Sequence, residues 1–160
     1  MKYYIADTSP FISRMKPPEI CITTPSVVAE IKDASSSLFF EVSCSGSISI
    51  ELPNEKLRNE IIEVARESGD LGELSATDID LLAKAIEYKP LSIILTDDYR
   101  IQNIAKILNI PAQPINQKPI TETYRWINVC AGCGRKVETG DICPHCGSPV
   151  RRKRERKVRS

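Results

Sequence analysis

The chain has 160 residues, of which 41% are hydrophobic and 27% charged, and a net charge of +1. That composition is ordinary for a folded globular protein of one medium domain plus a small appendage, and it excludes a mostly disordered chain. Removing the seven Lys/Arg and one Glu of residues 151–160 from the totals of 22 and 21 leaves 15 basic against 20 acidic residues, so an acidic body carries a basic end; this points to a polyanionic partner, nucleic acid before a merely solubilising tail.

The segment Met1–Asp7 lacks the long apolar stretch of a signal peptide, and no run approaches the ~20 apolar residues of a membrane span. A cytoplasmic location without a membrane partner is therefore expected. Residues 2–6 read as a first strand that ends at Asp7-Thr8-Ser9, and Ile20-Cys21-Ile22 as a second. Thr23-Thr24-Pro25 combines a hydroxyl N-cap with Pro at the first helical position, so a helix starts there. Glu30 falls three positions from Val27 on its apolar side, an expensive place for a charge without a partner.

Between 35 and 52 the local rules point to a hairpin about Gly46, with strands near Leu38–Val42 and Ser47–Leu52. Pro53 opens an amphipathic helix carrying Leu57, Ile61, Val64 and Ala65, closed by Ser68-Gly69-Asp70. Ser75-Ala76-Thr77-Asp78 matches a capping box before the stripe Ile79, Leu82, Ala83, Ile86. Asp78 has an adequate role as the capping carboxylate there, with Asp80 an ordinary exposed neighbour. Leu91–Leu95 is a short apolar run fit for a strand buried on both faces, and it stops at Thr96-Asp97-Asp98. Ile101, Ile104, Ala105 and Leu108 mark one more helix. From Pro111 to Pro119 the composition turns to Pro, Gln and Asn, which reads as a linker with a short edge strand around Ala112–Ile115. The boundaries expected are a main domain over 1–112, a linker over 113–126, a cysteine module over 127–150 and a basic tail over 151–160.

Cys130-Ala-Gly-Cys133-Gly and Cys143-Pro-His-Cys146-Gly are two knuckles nine residues apart. Four thiolates complete a tetrahedral shell at ~2.3 Å, so structural zinc is expected at Cys130, Cys133, Cys143 and Cys146, with iron the lesser possibility. The stretch 135–142 has the length of a small hairpin, making the module a zinc ribbon. His145 is expected to point away from the metal, and Cys21 and Cys44 to do no chemistry. Arg135, Lys136, Arg151, Arg152, Lys153 and Arg154 form a basic set suited to a nucleic-acid backbone.

The acids Asp7, Glu30, Asp78, Asp97 and Asp98 share a βα setting. Right-handed crossovers bring the ends of successive parallel strands to one edge of the sheet, where crowded carboxylates call for divalent cations. Hard oxygen ligands select magnesium or manganese, and such ions support phosphodiester hydrolysis without a nucleophilic side chain.

Asp7-Thr8-Ser9, the helix with Glu30, Asp78-Ile-Asp-Leu-Leu-Ala83-Lys-Ala85 and Leu95-Thr96-Asp97-Asp98 together resemble a PIN-domain nuclease over about residues 1–115. With the C-terminal ribbon, the chain resembles the Nin-one-binding protein family, in a compact form that looks archaeal. The resemblance implies a three-layer α/β/α domain with a central parallel sheet, and metal-dependent endonucleolytic maturation of the 3′ end of small-subunit ribosomal RNA. It implies catalytic and magnesium- or manganese-binding roles for Asp7, Glu30, Asp78 and the Asp97/Asp98 pair, favouring Asp78 over Asp80, and a helix where local rules read Leu38–Val42 as a strand. Precursor small-subunit rRNA, pre-ribosomal particles and ribosome-assembly factors are the partners it implies. Which of Asp97 and Asp98 faces the ion stays open, one being expected as ligand and the other as a cap or supporting acceptor. A toxin-type PIN ribonuclease and a non-catalytic zinc-ribbon RNA-binding scaffold are the alternatives.

Overall fold

The computed structural model describes residues 1–44, 48–118 and 123–156. Five short strands, β1 (Tyr3–Ala6), β2 (Cys21–Thr23), β3 (Ile48–Ile50), β4 (Ser92–Leu95) and β5 (Ala112–Gln113), form a parallel sheet in the order β3-β2-β1-β4-β5. The chain builds outward from β1 through β2 to β3, then returns to add β4 on the other side of β1. The order therefore reverses between β1 and β4, the place where ligands gather beyond the carboxyl ends of an open α/β sheet. Register Ala6↔Leu95 makes those two strand ends level. The residues that follow each of them, Asp7 and Thr96, are thereby neighbours.

The helices are α1 (Ser9–Ile12), α2 (Pro25–Glu30), α3 (Ala34–Cys44), α4 (Glu55–Ser68), α5 (Ala76–Glu87) and α6 (Tyr99–Ile107), with a 3-10 turn at Leu71–Glu73. Helix α1 packs with α3, α4, α5 and α6 pack together, and α2 lies against α5. The common core includes Ile5, Ile22, Ile61, Leu81, Leu82 and Ile94, all essentially buried. Among the described residues, no helix is long and apolar enough to cross a membrane.

Most helix starts follow their local signals. Thr24 Oγ1 accepts from the Val27 amide, and Ser75 and Asp78 form a complete capping box. Helix α4 begins one cap later than Pro53 indicates, because Asn54 accepts from the Lys56 and Leu57 amides. Residues 38–42 are helical, as the resemblance implies and local composition does not. An alternating strand would bury Leu38, Phe40 and Val42 together, whereas here Leu38 and Val42 are exposed. Only Phe40, with Ser36 one turn earlier, turns inward, and its ring meets Phe11 edge-on at 5.0 Å. The start signal is Asp33, whose Oδ1 accepts from the Ser36 amide at 2.8 Å. Hydrogen bonds from the Ser36 side chain and amide, with that of Ser35, hold the Asp33 carboxyl down to about 2. The hairpin expected about Gly46 is not formed: β3 pairs in parallel with β2, and Gly46 itself lies outside the described residues.

The cysteine module is larger than expected. Strands β6 (Tyr124–Cys130) and β7 (Val150–Arg156) make an antiparallel ribbon in register from Tyr124↔Arg156 to Cys130↔Val150. Residues 124–126 therefore belong to the ribbon rather than to a linker, and 151–156 to a strand rather than a tail; 157–160 lie outside the described residues. The hairpin expected over 135–142 is replaced by isolated bridges, Val129↔Lys136 and Ile142↔Pro149. A small cluster of Cys130, Val137 and Cys143, with Val150 against it, is separate from the main core. Cys21 is a buried core residue, and the Cys44 side chain lies outside the described ones.

Candidate active site and cysteine centre

At the switch point the buried Thr96 hydroxyl holds two acids in place. Its Oγ1 donates to Asp7 Oδ2 at 2.7 Å and accepts from the Asp98 amide at 3.0 Å. Gln102 Nε2, reaching back from α6, donates to the Thr96 carbonyl. Thr96 was not among the expected site residues; a hydroxyl between the end of an apolar strand and a helix-capping Asp was the available signal. Thr96→Val keeps the shape but leaves the buried Asp7 oxygen without its donor, at a cost of about 1–3 kcal/mol. Urea denaturation should read that loss, and Thr96→Ser should restore most of it.

Asp7 is only 7% exposed. Burial pushes its carboxyl above the ordinary 3.8 and the charge of Asp98 adds to the rise, while hydrogen bonds from Thr96, Thr8 and Ser9 oppose it. Burial likewise raises Asp78, and the charges of Asp98 and Asp7 raise it further against the hydrogen bonds from Ser75. Asp7, Asp78 and Asp98 are thus one electrostatic group. Asp98 Oδ1 caps α6 through the Arg100 amide, and Asp78 Oδ2 accepts from the Ser75 amide. Each cap uses one oxygen. The other oxygen of Asp78 and of Asp98 makes no hydrogen bond among the described residues, and Asp7 Oδ1 has only a long 3.4 Å bond from Thr8. The capping and site readings of these acids are therefore compatible.

Asp97 is used differently. Its carboxylate accepts from the Ile115 amide at 2.8 Å and from the amide and Nδ2 of Asn116 at 3.0 Å, while its own amide donates to Ser9 Oγ. Burial acts to raise its pKa, but these bonds from Asn116 and Ile115 bring it below the ordinary value. It latches the segment after β5 onto the end of β4. The helix cap and the electrostatic link to Asp7 and Asp78 thus fall on Asp98, and the bonds from Ile115 and Asn116 on Asp97.

Glu30, the last residue of α2, is exposed and makes no hydrogen bond or ion pair among the described residues. Its charge therefore carries none of the burial cost that the spacing implied. Asp80 departs the other way. It is only 15% exposed, accepts from Ser26 Oγ at 2.7 Å, and sets Oδ1 2.6 Å from Arg58 Nε without the alignment of a hydrogen bond. It ties α2 and α4 to α5 instead of standing as an ordinary exposed neighbour.

The four cysteines are the group of described residues whose ligand atoms all lie within 4.8 Å of one another, and the carboxylates are more widely spread. A tetrahedral shell with metal–sulfur bonds of about 2.3 Å requires sulfurs about 3.8 Å apart. Cys133 Sγ lies 3.8 Å from Cys143 Sγ, and Cys130 Sγ lies 3.3 Å from Cys146 Sγ. The amides of Gly132 and Cys133 donate to Cys130 Sγ. The knuckle glycines Gly134 and Gly147 take φ of +71° and +70°, which a side chain would resist. Soft thiolates in a closed set fit structural zinc, and the exposed His145 stands outside the set.

The ribbon's basic residues divide by strand alternation. Arg151 and Lys153 share one face with Arg125, which the sequence reading missed; Arg152 and Arg154 share the other with Trp126, their guanidinium carbons 5.1 and 5.4 Å from its ring centroid. Arg135 is exposed on the first knuckle, and Lys136 pairs with Glu155 at 2.7 Å.

A family model described as the PIN domain of ribonuclease matches residues 4–88, which include Asp7, Glu30 and Asp78. Endoribonuclease Nob1 of Archaeoglobus fulgidus is 38% identical over 165 residues, covering 100% of this chain and 97% of the relative. Endoribonuclease Nob1 of Pyrococcus abyssi is 38% identical over 133 residues, 81% of each chain. Ribonuclease VapC1 of Thermoplasma acidophilum is 38% identical over 153 residues, 93% of this chain and 77% of the relative.

Proposed function

The chain belongs to the Nob1 family of PIN-domain endoribonucleases, and on that premise we propose that it matures the 3′ end of small-subunit (16S) ribosomal RNA by metal-dependent cleavage of single-stranded precursor. The observation that carries the reading is the group Asp7, Asp78 and Asp98, in which burial and neighbouring charge raise Asp7 and Asp78, with oxygens left over from the capping bonds of Asp78 and Asp98. Hard carboxylate oxygens fit magnesium or manganese. Asp7, Asp78 and Asp98 hold the ion in this proposal; Glu30 adds a fourth carboxylate from the solvent side, and Asp97 supports through its latch. The ion when bound supplies an acidified water and neutralises charge at the leaving oxygen. Thr96 keeps Asp7 ionised and oriented by donating to Oδ2, so that Oδ1 is the oxygen left for the ion.

Zinc at Cys130, Cys133, Cys143 and Cys146 is structural in this reading. The face with Arg125, Arg151 and Lys153, continued by Arg135, offers phosphate contacts to the RNA, while Arg152, Arg154 and Lys136 are drawn into contacts within the protein. The proposed units are a nuclease domain over 1–113 and a ribbon over 124–156, acting in the cytoplasm on pre-ribosomal particles with their assembly factors.

A second reading is a toxin-type PIN ribonuclease with another RNA target. The VapC1 relative favours it, because a match over 93% of this chain must include most of the ribbon and so takes that module away as a discriminator. Incubation with manganese and a transcript spanning the 16S 3′ boundary, mapped to the nucleotide, separates the two. Maturation yields a discrete end at the boundary. Cuts scattered through unrelated RNAs at equal rate would refute it.

A further inference from the structure

Among the described residues the ribbon rests on the nuclease domain at the end of α4. Helix α4 ends at Gly69 with φ +79°, a left-handed cap whose amide and that of Asp70 satisfy the carbonyls of Arg66 and Ala65. A Cβ there would sit 2.4 Å from the Trp126 carbonyl oxygen, so the β6 backbone lies directly on this glycine. From β7, Arg152 extends over the Trp126 ring, donates through Nη2 to the Gly69 carbonyl, and pairs through Nη1 with Glu73 Oε1 at 2.5 Å. Glu73 in turn presents Oε2 3.7 Å from Arg100 Nη2, and its carbonyl accepts from Arg100 Nη1.

Both sides of this chain of contacts end at the acids. Arg100 lies in the first turn of α6 and its amide is held by Asp98; Glu73 precedes by two residues the Ser75 that caps α5 with Asp78. The turn between is anchored, because buried Asp70 accepts from Ser68 and, across to α6, from Asn103 Nδ2 at 2.9 Å. The ion pairs themselves are partly exposed, 36% at Arg152 and 42% at Glu73, and such pairs contribute little to stability. Their geometry is specific all the same. One guanidinium meets a carboxylate, a carbonyl and an aromatic face together, which a lysine cannot reproduce.

We propose that Glu73 is a positioning residue: by gripping Arg152 of the ribbon and Arg100 beside Asp98, it sets the ribbon in one orientation to the carboxylates, so that RNA held by the ribbon is cut in one register. The inference rests on the reading that the ribbon holds RNA and the carboxylates cleave it.

The test uses the full zinc-loaded chain with manganese, on a precursor transcript and on a short single-stranded oligonucleotide. Arg152→Lys keeps the charge but loses the fork, and Glu73→Gln keeps the shape but loses the charge. Each should lower kcat/KM on the transcript by about 3- to 30-fold, spread the cut over neighbouring positions, and leave the short oligonucleotide's kcat unchanged for Glu73→Gln. The double variant should be no worse than either single one, since both remove the same contact. A simple electrostatic role predicts otherwise. Removing the negative charge of Glu73 would tighten RNA binding, Arg152→Lys would be silent, and the cut would stay at the wild-type position; that result overturns the proposal. If wild-type protein cuts neither RNA, the functional reading fails first; if it cuts both and the variants match it, only the positioning role fails.

Discussion

Asp7→Asn should reduce RNA cleavage by about 1,000-fold or more and at the same time make the metal-free protein harder to melt. The first effect follows from removing a hard anionic ligand from a site whose ion supplies several kcal/mol of charge stabilisation. The second follows from the direction of its pKa. Burial, with the Asp98 charge, raises Asp7 above 3.8 despite the hydrogen bonds from Thr96, Thr8 and Ser9. A carboxyl raised in this way contributes stability that is fully present below its unfolded value and is lost as pH rises through its folded value. At neutral pH the ionised Asp7 therefore strains the metal-free fold, and Asn, uncharged and of the same shape, relieves that. Scanning calorimetry at pH 7 without divalent ions should give a higher Tm for Asp7→Asn than for wild type, with the difference shrinking toward pH 4. Manganese should raise the Tm of wild type and leave that of the variant unmoved. A variant that melts lower at pH 7 and still responds to manganese would show that Asp7 is a structural acid.

Cys133→Ser should unfold the ribbon while sparing the nuclease domain. Beyond its cysteines the described part of the ribbon buries Val129 and Val137, with Val150 packed against the cysteine cluster, far too little apolar surface to hold a module of this size. Structural zinc in such modules contributes about 10–16 kcal/mol, so losing one of four thiolates removes most of what folds it. The protein's single tryptophan is Trp126, lying in β6 against Gly69 beneath two arginines. Its fluorescence therefore reports the ribbon and its seat on Gly69. Zinc content should fall close to zero and Trp126 emission shift to the red, while circular dichroism keeps the signal of α2–α6. Persistent wild-type emission in a zinc-free protein would mean that the Arg152 and Gly69 contacts suffice to hold the ribbon.

Local chemistry made much of this molecule readable before any coordinates. The N-caps Thr24 and Ser75, the glycine that ends α4, the apolar run of β4 and the two CxxC knuckles each act within a few residues of themselves. The acids Asp7, Glu30, Asp78 and the Asp97/Asp98 pair could be singled out from their strand-end and helix positions, with the choice inside the pair left open. What escaped was set by partners far along the chain. Nothing near Asp97 announces that Ile115 and Asn116 will claim its carboxylate, and nothing near Asp80 announces Ser26 and Arg58. The composition of 38–42 reads as strand because Phe39, Phe40 and Val42 are β-type residues, yet the side chain that turns inward, Phe40, finds its ring partner in Phe11, far back in the chain. The basic end looked like a tail because its charges conceal an alternation; pairing with β6 turns Arg152 inward to Glu73 and Arg151 and Lys153 outward.

The carboxylate group is best tested by comparing Asp98→Asn with Asp97→Asn in manganese-dependent cleavage of the precursor transcript, because these neighbours differ in what they touch and in little else. With Asp98 coupled to Asp7 and Asp78, its loss should abolish metal-dependent product at every manganese concentration. Loss of Asp97, which loosens only the latch to Ile115 and Asn116, should leave measurable cleavage that still requires manganese. Equal and complete loss in both variants, or full activity in Asp98→Asn, would contradict a metal centre built from Asp7, Asp78 and Asp98.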